Sequence, residues 1–186
     1  AGTFWSEDFS NGIPSTWNNG LVPWEYRGVN TTPDINTGSI GAYAGTNGPI
    51  ASPTAANGFI IFDSDYYDNG GVAGAFNSGQ YPTPHQGDLV SEPIDCSLYG
   101  DLSLQFNSYF RTFEGLAWVG YSNDGYNWNW QSIHPNLTLN ESTSSSNIQH
   151  FNLPGTSNWS TVYLSFTFDG ITQGEGYYFW MIDDIE

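Results

Sequence analysis

LSLQFNSYFRTFEGLAWVGYSNDGYNWNWQ, residues 102–131, decides the fold class of this chain. Apolar and polar side chains alternate from Leu102 to Phe106, and this period of two predicts a half-buried β-strand over 102–111. A second strand, predicted at 116–121, is joined by SNDG to a third at 126–131. Asp124 and Gly125 favour a hairpin, because both central residues of a type I′ turn need positive φ.

The rest of the chain continues this pattern. Further strands are predicted at 5–9, 24–27, 42–44, 59–62, 161–168 and 177–185, with a long loop at 68–86 and a polar loop at 140–147. No stretch of ten or more residues has the apolar spacing of a helix. We therefore predict one all-β domain over residues 1–186, a two-sheet antiparallel β-sandwich of the jelly-roll type with little or no helix.

Composition limits the classes of partner. The 186 residues carry a formal net charge of −17, which excludes nucleic acid and anionic lipid as partners because both need basic patches. Apolar runs are too short to span a membrane, so no membrane insertion is expected. The single cysteine, Cys96, cannot form an internal disulfide and is predicted to be a buried thiol.

The acidic residues collect at the start, the middle and the end of the chain. A buried carboxylate needs a partner, yet the chain has no lysine and only two arginines, Arg27 and Arg111. Oxygen ligands of this kind suit Ca²⁺. We predict a structural Ca²⁺ site drawn from the following residues, with the first three as a clamp between the chain ends and the middle: Glu7, Asp63, Asp183, Asp65 and Asp8. The alternative is that these acids cap strands and turns in solvent.

A second candidate site is an aromatic stripe. Tyr126, Trp128 and Trp130 fall on one face of the predicted strand at 126–131, alternating with Asn127 and Asn129. The stripe can be a sugar-stacking platform with amides beside it, or it can belong to the core, which is the interpretation we favour from sequence. Trp24, among glycine and asparagine, is a further platform candidate. No catalytic motif with local support is present, so we expect no enzyme activity from this domain.

Six strings in order give the chain a family resemblance: SEDFSNGIPSTW, NGFIIFDSDYYDNGG, GDLVSEPIDCSLYGDLSLQFNSYFR, VGYSNDGYNW, NWSTVYLSFTFDG and GYYFWMIDDIE. This order resembles the MAM-like cleaved-adhesin domains, of the "choice-of-anchor J" type, found in secreted Bacteroidetes surface proteins. The resemblance implies a β-sandwich with structural calcium that serves as an accessory domain in adhesins, proteases and polysaccharide-degrading enzymes. It does not fix a ligand.

These observations predict a non-catalytic, calcium-stabilised adhesion or carbohydrate-binding module of a secreted or cell-surface bacterial protein. Its expected partners are a glycan or a cell-surface protein, together with the other domains of a larger parent protein. The alternative is a purely structural spacer domain of a secreted hydrolase. A concave groove with exposed Trp or Tyr beside Asn and Gln would favour binding over the spacer role.

Overall fold

The protein folds into two antiparallel β-sheets packed face to face, in a computed structural model that describes residues 2–186. In chain order the elements are β1 (Asn18–Asn19), β2 (Glu25–Arg27), a 3₁₀ turn (Ala55–Asn57), β3 (Phe59–Phe62), α1 (Ser64–Asn69), β4 (Gln86–Val90), β5 (Ile94–Asp95), β6 (Leu102–Phe113), β7 (Leu116–Ser122), β8 (Asn129–Ile133), β9 (Asn147–Leu153), β10 (Thr161–Asp169) and β11 (Tyr177–Asp183).

Each sheet is built around a long central pair of strands. The first sheet has the order β1-β4-β10-β7-β8, with β5 paired to the start of β10. The second sheet has the order β2-β3-β11-β6-β9. The predicted two-sheet antiparallel sandwich is therefore confirmed.

The main core lies between the two sheets. Alternation along β10 turns Leu164, Phe166 and Phe168 inward, where Phe166 meets Phe106 of the second sheet at a ring-centroid distance of 5.5 Å. Phe168 stacks on Phe62 at 4.8 Å. Each buried Phe contributes about 1.5–3 kcal/mol to the free energy of folding relative to an exposed one, so these contacts hold the two sheets together.

The outer faces of the two sheets differ. Residues 39–50 lie over the second sheet, where Ala44 and Ile50 pack with Phe59, Phe179 and Met181 in a smaller apolar cluster. The first sheet instead turns polar and aromatic side chains outward. This difference makes the outer face of the first sheet the place to look for a binding site.

Several local predictions were wrong. Residues 42–44 form a turn, and the predicted strand at 5–9 reduces to one bridge between Glu7 and Ile185. The third strand of the opening stretch begins only at Asn129, because the turn around Asp124 continues through Asn127. β4 and β9 were not predicted. Cys96 is buried, as predicted.

The helix α1 lies in the segment interpreted as a strand end and loop. Asp63 is its N-cap, and its carboxylate accepts from the backbone N–H of Tyr66. Gly70 ends the helix in the left-handed conformation with φ 62°. An N-cap Asp followed by a C-cap Gly is a helix signal, so the string DSDYYDNGG carries a signal for α1 that was overlooked. No described helix is long and apolar enough to cross a membrane.

Candidate functional site

One row of outward side chains crosses all five main strands of the first sheet. The strand register places Asn18, Val90, Ser165, Gly120 and Trp130 side by side, from β1 through β4, β10 and β7 to β8. Their chain neighbours, such as Leu89 and Phe166, face the core, because successive strand residues point to opposite sides. The sequence thus assembles a surface from five separate segments.

Two neighbouring rows add the charged and hydrogen-bonding groups. Asp88, Thr167 and Trp118 stand side by side in one of these rows, and Gln86 lies beside Asp169 in the other. Ser165 and Thr167 are buried at the floor of this face. Polar side chains at the bottom of a depression can fix the orientation of a bound molecule.

These rows line an open cleft of about 640 Å³. Its lining consists of three tryptophans among mostly polar groups: Asn18, Gln86, Asp88, Val90, Trp118, Gly125, Trp128, Trp130, Ser165, Thr167 and Asp169. The volume is in the range of small-molecule binding sites. We call it the tryptophan cleft.

Gly120 allows two of these indoles to lie on the sheet. A Cβ atom at Gly120 would stand 2.8 Å from the Trp130 ring and 3.0 Å from the Trp128 ring. The ring centroids of Trp128 and Trp130 are 5.8 Å apart with an interplanar angle of 32°. Trp130 is 49% exposed. The two rings therefore offer apolar surface to a ligand instead of packing into the core.

The third indole, that of Trp118, lies near a buried acid. Asp169 accepts from the backbone N–H groups of Ile171 and Thr172 at 2.9 Å each and from the Thr172 hydroxyl at 2.6 Å. Burial opposes ionisation of Asp169, but these hydrogen bonds outweigh it and lower its pKa. Asp169 is thus an anion fixed by its own turn at the edge of the cleft.

Asp88 is the more available carboxylate of the cleft. It accepts from the Thr167 hydroxyl at 2.6 Å and from the Gln86 amide at 3.0 and 3.1 Å. Its side chain is only half-buried. An ionised carboxylate has about four acceptor positions, so Asp88 keeps capacity for a donor from a ligand.

The chemistry of this arrangement suits a polyhydroxylated ring. Indole faces attract the C–H face of such a ring, while carboxylate, amide and hydroxyl groups pair with its hydroxyls. Hydrogen bonds to a charged acceptor are stronger than neutral ones and reject ligands that lack the matching donor. The tryptophan cleft is therefore our candidate functional site.

The predicted platform residues are divided by the structure. Trp128 and Trp130 line the cleft, so the interpretation of these two as core is wrong. Tyr126 is 88% exposed but lies outside the lining, and the amide of Asn127 is engaged in the turn by Asp124 at 2.7 Å. Asn129 is exposed and also outside it.

Trp24 is not a platform residue. It is 2% exposed, packs on Trp180 at 5.4 Å and donates its indole N–H to the Gly87 carbonyl at 3.1 Å. The sequence reasoning missed Trp118, Asp88 and Thr167. Alternation along 161–168 had already turned the apolar residues one way, which was a signal that Ser165 and Thr167 face the other.

A second cleft, of about 660 Å³, lies beside the N-terminal segment. Two of its aromatic residues, Phe4 and Tyr99, stack on each other at 4.1 Å, and the third, Trp5, stacks on Trp17 at 6.3 Å. The rings of Phe4 and Tyr99 cover one another, whereas the tryptophan cleft leaves indole surface open. The second cleft is therefore the weaker candidate for stacking a ligand.

Asp63, predicted as a calcium ligand, has protein partners. It is fully buried and accepts from Ser39 at 2.6 Å, from the Ile40 N–H at 2.9 Å and from Arg27 at 3.3 Å. Burial raises its pKa to about 6, against the effect of these partners. Arg27 also pairs with Glu25 at 2.5 Å. One of the two arginines thus supplies the cation for this acid.

Asp65 is also satisfied without a metal. Its carboxylate accepts from the N–H groups of Tyr43 and Ala44 at 2.7 and 2.9 Å and from the Asn69 amide at 2.7 Å. The turn at 42–44, which the sequence suggested as a strand, wraps this anion. Backbone N–H groups therefore meet the need for a partner that we had assigned to a metal ion.

Asp183 is the exception among the predicted ligands. It is fully buried and accepts from the hydroxyls of Ser52 and Thr54, yet its Oδ1 atom has no hydrogen-bond partner. The Oδ1 atom of Asn57 is buried without a partner as well. Burial, and then the neighbouring charge of Asp184, raises the pKa of Asp183 to about 7. This is an oxygen-rich place that lacks a positive partner.

Glu7 and Asp8 approach this place from the first residues of the chain. Glu7 pairs with Ile185 through two backbone hydrogen bonds of 2.9 Å, which confirms that the two ends meet. Asp8 accepts from the Asn57 amide at 3.3 Å, while the Glu7 carboxylate accepts from the Phe9 N–H at 2.6 Å. Among residues 2–186, no group of three or more His, Cys, Asp or Glu could hold a metal ion. The predicted clamp of Glu7, Asp63 and Asp183 is therefore not formed as one cluster.

Ser64 and His85 are within hydrogen-bond distance of each other, at 2.7 Å. The pair has the spacing of a nucleophile and its base. Ser64 is nevertheless fully buried, His85 is 4% exposed, and the other ring nitrogen of His85 meets the Tyr81 carbonyl at 2.8 Å. A substrate cannot reach this pair, so its role is to tie α1 to the start of β4.

Comparisons with known proteins find the fold but no family. No family model matches the chain, and no curated protein matches it. Among solved structures, the K1 cleaved adhesin domain of Lys-gingipain from Porphyromonas gingivalis W83 superimposes with a TM-score of 0.56 at 17% identity, covering 99% of this chain and 96% of that one.

The K3 cleaved adhesin domain of the same gingipain has a TM-score of 0.51 at 18% identity, covering 98% of this chain and 96% of that one. A weaker likeness, with a TM-score of 0.49 at 10% identity over 96% and 91% of the two chains, is to TmCBM61 in complex with β-1,4-galactotriose. At such identities a likeness concerns the fold alone. The chain therefore has a β-sandwich fold similar to that of the cleaved adhesin domains.

Proposed function

We propose that this domain is a non-catalytic module that binds glycans in the tryptophan cleft. The observation that carries the proposal is the grouping of Trp118, Trp128 and Trp130 beside Asp88 on the outer face of the first sheet. A spacer domain has no use for three tryptophans on an open polar face. The proposal covers adhesion as well, where the glycan belongs to a cell surface.

Binding to a panel of soluble polysaccharides tests this proposal. Affinity gel electrophoresis with galactan, mannan, xylan and β-glucan identifies a ligand, and titration calorimetry then gives the affinity. Trp130→Ala removes an exposed stacking ring, and we expect about a thirtyfold loss, the effect of a tryptophan hot spot. Tyr99→Ala, in the second cleft, is the matched control and should leave the affinity unchanged. Absence of any retention would refute the proposal and favour the spacer alternative.

We also propose that Ca²⁺ binds at Asp183. The support is two buried oxygens without a hydrogen-bond partner, Asp183 Oδ1 and Asn57 Oδ1, at a turn to which Asp184 and Asp8 are also hydrogen-bonded. Because no three acidic side chains form a cluster among residues 2–186, hydroxyl, amide and water oxygens would have to complete the calcium shell. Carboxylate and amide oxygens fit calcium, which takes six to eight oxygen ligands. Bound there, the ion would neutralise a buried anion and tie the chain ends to the 3₁₀ turn. Asp63 and Asp65 are no longer part of this site.

Calorimetric titration of the chelator-treated protein with Ca²⁺ tests the metal proposal. We expect binding and a higher melting temperature for the wild type, and neither for Asp183→Asn. Asp65→Asn is the control. This substitution removes an anion that already accepts hydrogen bonds from the protein, so it should lower the melting temperature without removing the response to Ca²⁺. An unchanged melting temperature on adding Ca²⁺ would refute the site.

The finer assignment, to the MAM-like "choice-of-anchor J" group, is also a proposal. It is supported by the ordered strings of the sequence together with the fold shared with the cleaved adhesin domains. The same resemblance supports a secreted or cell-surface location and a place beside the other domains of a larger protein. Mass spectrometry of culture supernatant and cell-surface fractions tests the location.

A further inference from the structure

We infer, resting on the proposed function, that the tryptophan cleft selects uncharged glycans and rejects acidic ones, with Asp88 as the residue that discriminates. Two acidic side chains, Asp88 and Asp169, line the cleft. Among the described lining residues there is no Lys, Arg or His side chain, so nothing there compensates a second anion.

The cationic side chains of the chain lie elsewhere and are engaged. Arg27, on β2 of the second sheet, is occupied by Glu25 and Asp63. Arg111, on β6 of the same sheet, donates to Asn47 at 2.7 Å and lies 4.0 Å over the ring of Tyr178. The sequence contains no lysine. An acidic glycan entering the cleft would therefore meet only negative charge.

The two acids of the cleft have different tasks. Asp169 is 7% exposed and already receives three hydrogen bonds, from the backbone N–H groups of Ile171 and Thr172 and from the Thr172 hydroxyl. Asp88 is half-buried, is held by only two donor groups, on Thr167 and Gln86, and retains acceptor capacity. Asp169 thus stabilises its own turn, and Asp88 is the anion that a ligand contacts.

This division predicts the chemistry of the ligand. A sugar hydroxyl can donate to Asp88, and a hydrogen bond to a charged acceptor is a strong one. A ligand carboxylate or sulfate can only repel it. Within roughly 4 Å, two like charges cost about 1 kcal/mol even at the dielectric constant of water, or about fivefold in affinity for each ligand charge, and more in a partly buried cleft.

A matched pair of ligands tests the inference. The carboxymethylated derivative of the polysaccharide that binds best is compared with the neutral carbamoylmethylated polysaccharide of equal substitution, so that the backbone and the hydroxyls lost are the same and the charge differs. For the wild-type protein we expect at least a fivefold weaker binding of the derivative, and a smaller difference at high salt because surface charges are screened.

Asp88→Asn separates the inference from the proposed function. This variant should bind the neutral polysaccharide several-fold more weakly and should narrow or close the gap to the derivative. Asp101→Asn removes an exposed acid outside the cleft and should change neither value. Equal or tighter binding of the derivative by the wild type, or an unchanged gap in Asp88→Asn, would overturn the selectivity while glycan binding stands. Loss of all polysaccharide binding in the wild type would overturn both.

Discussion

Adding a single methyl group at Gly120 should disturb the stacking platform without disturbing the fold. The new Cβ atom would stand 2.8 Å from the Trp130 ring and 3.0 Å from the Trp128 ring. Carbon atoms in contact are separated by about 3.5–4.0 Å, so the rings must move outward by roughly 1 Å. The backbone of Gly120 does not need positive φ, so alanine fits the strand itself.

The size of the effect follows from what the methyl group displaces. Both rings are at least partly exposed and can tilt into solvent. Overpacking a buried core lowers the free energy of unfolding by about 1–3 kcal/mol, and we expect Gly120→Ala to lower it by less. Glycan affinity should fall by about fivefold, because aromatic stacking of this kind is worth roughly 1 kcal/mol. Gly100→Ala is the control, since nothing lies within 4 Å of its added Cβ.

Circular dichroism and calorimetry check this prediction together. The indoles of Trp128 and Trp130, at 5.8 Å, are close enough to couple electronically, and their coupled band should change in Gly120→Ala but not in Gly100→Ala. Glycan affinity should fall in the same variant. An unchanged band together with wild-type affinity would show that Gly120 does not set the positions of the two rings.

Three further predictions concern the buried acids. Burial raises the pKa of Asp183 to about 7 from 3.8, so its ionisation destabilises the metal-free fold as pH rises through this range. A chelator should therefore lower the melting temperature more at about pH 8 than at about pH 5. An equal effect at both pH values would contradict this prediction. Arg27→Met leaves the buried Asp63 without its cation and should cost about 3–5 kcal/mol in urea unfolding, a loss that Arg27→Met/Asp63→Asn should partly restore. Gly41→Ala places a Cβ on the Asp65 carboxylate and should lower the melting temperature, whereas a wild-type value would show that the turn relaxes freely.

Much of the fold could be predicted because its strands obey a simple period. The segments at 102–111, 116–121 and 161–168 became β6, β7 and β10 almost unchanged, since each buries one face against the other sheet. The short elements could not be predicted in the same way. α1 has six residues and no helical stripe, and its only signals are the caps Asp63 and Gly70.

The site was predicted less well because it is made by register. Trp128 and Trp130 were candidates from their type and spacing, but Trp118, Asp88 and Thr167 join them only when β4, β10 and β7 are aligned. For Asp63 and Asp65, the calcium prediction assumed that a buried acid without a lysine needs a metal. Turns such as the one at 42–44 supplied backbone donors instead, which no composition argument can show.

The indole N–H resonances of the eight tryptophans test most directly whether a glycan binds in the tryptophan cleft. In a two-dimensional NMR titration with the best-binding neutral polysaccharide fragment, we expect shifts for Trp118, Trp128 and Trp130. The buried Trp24 and Trp180 should stay in place. Shifts confined to Trp5, in the second cleft, or no shift at all in the three cleft indoles, would contradict the assignment of the glycan to the first sheet.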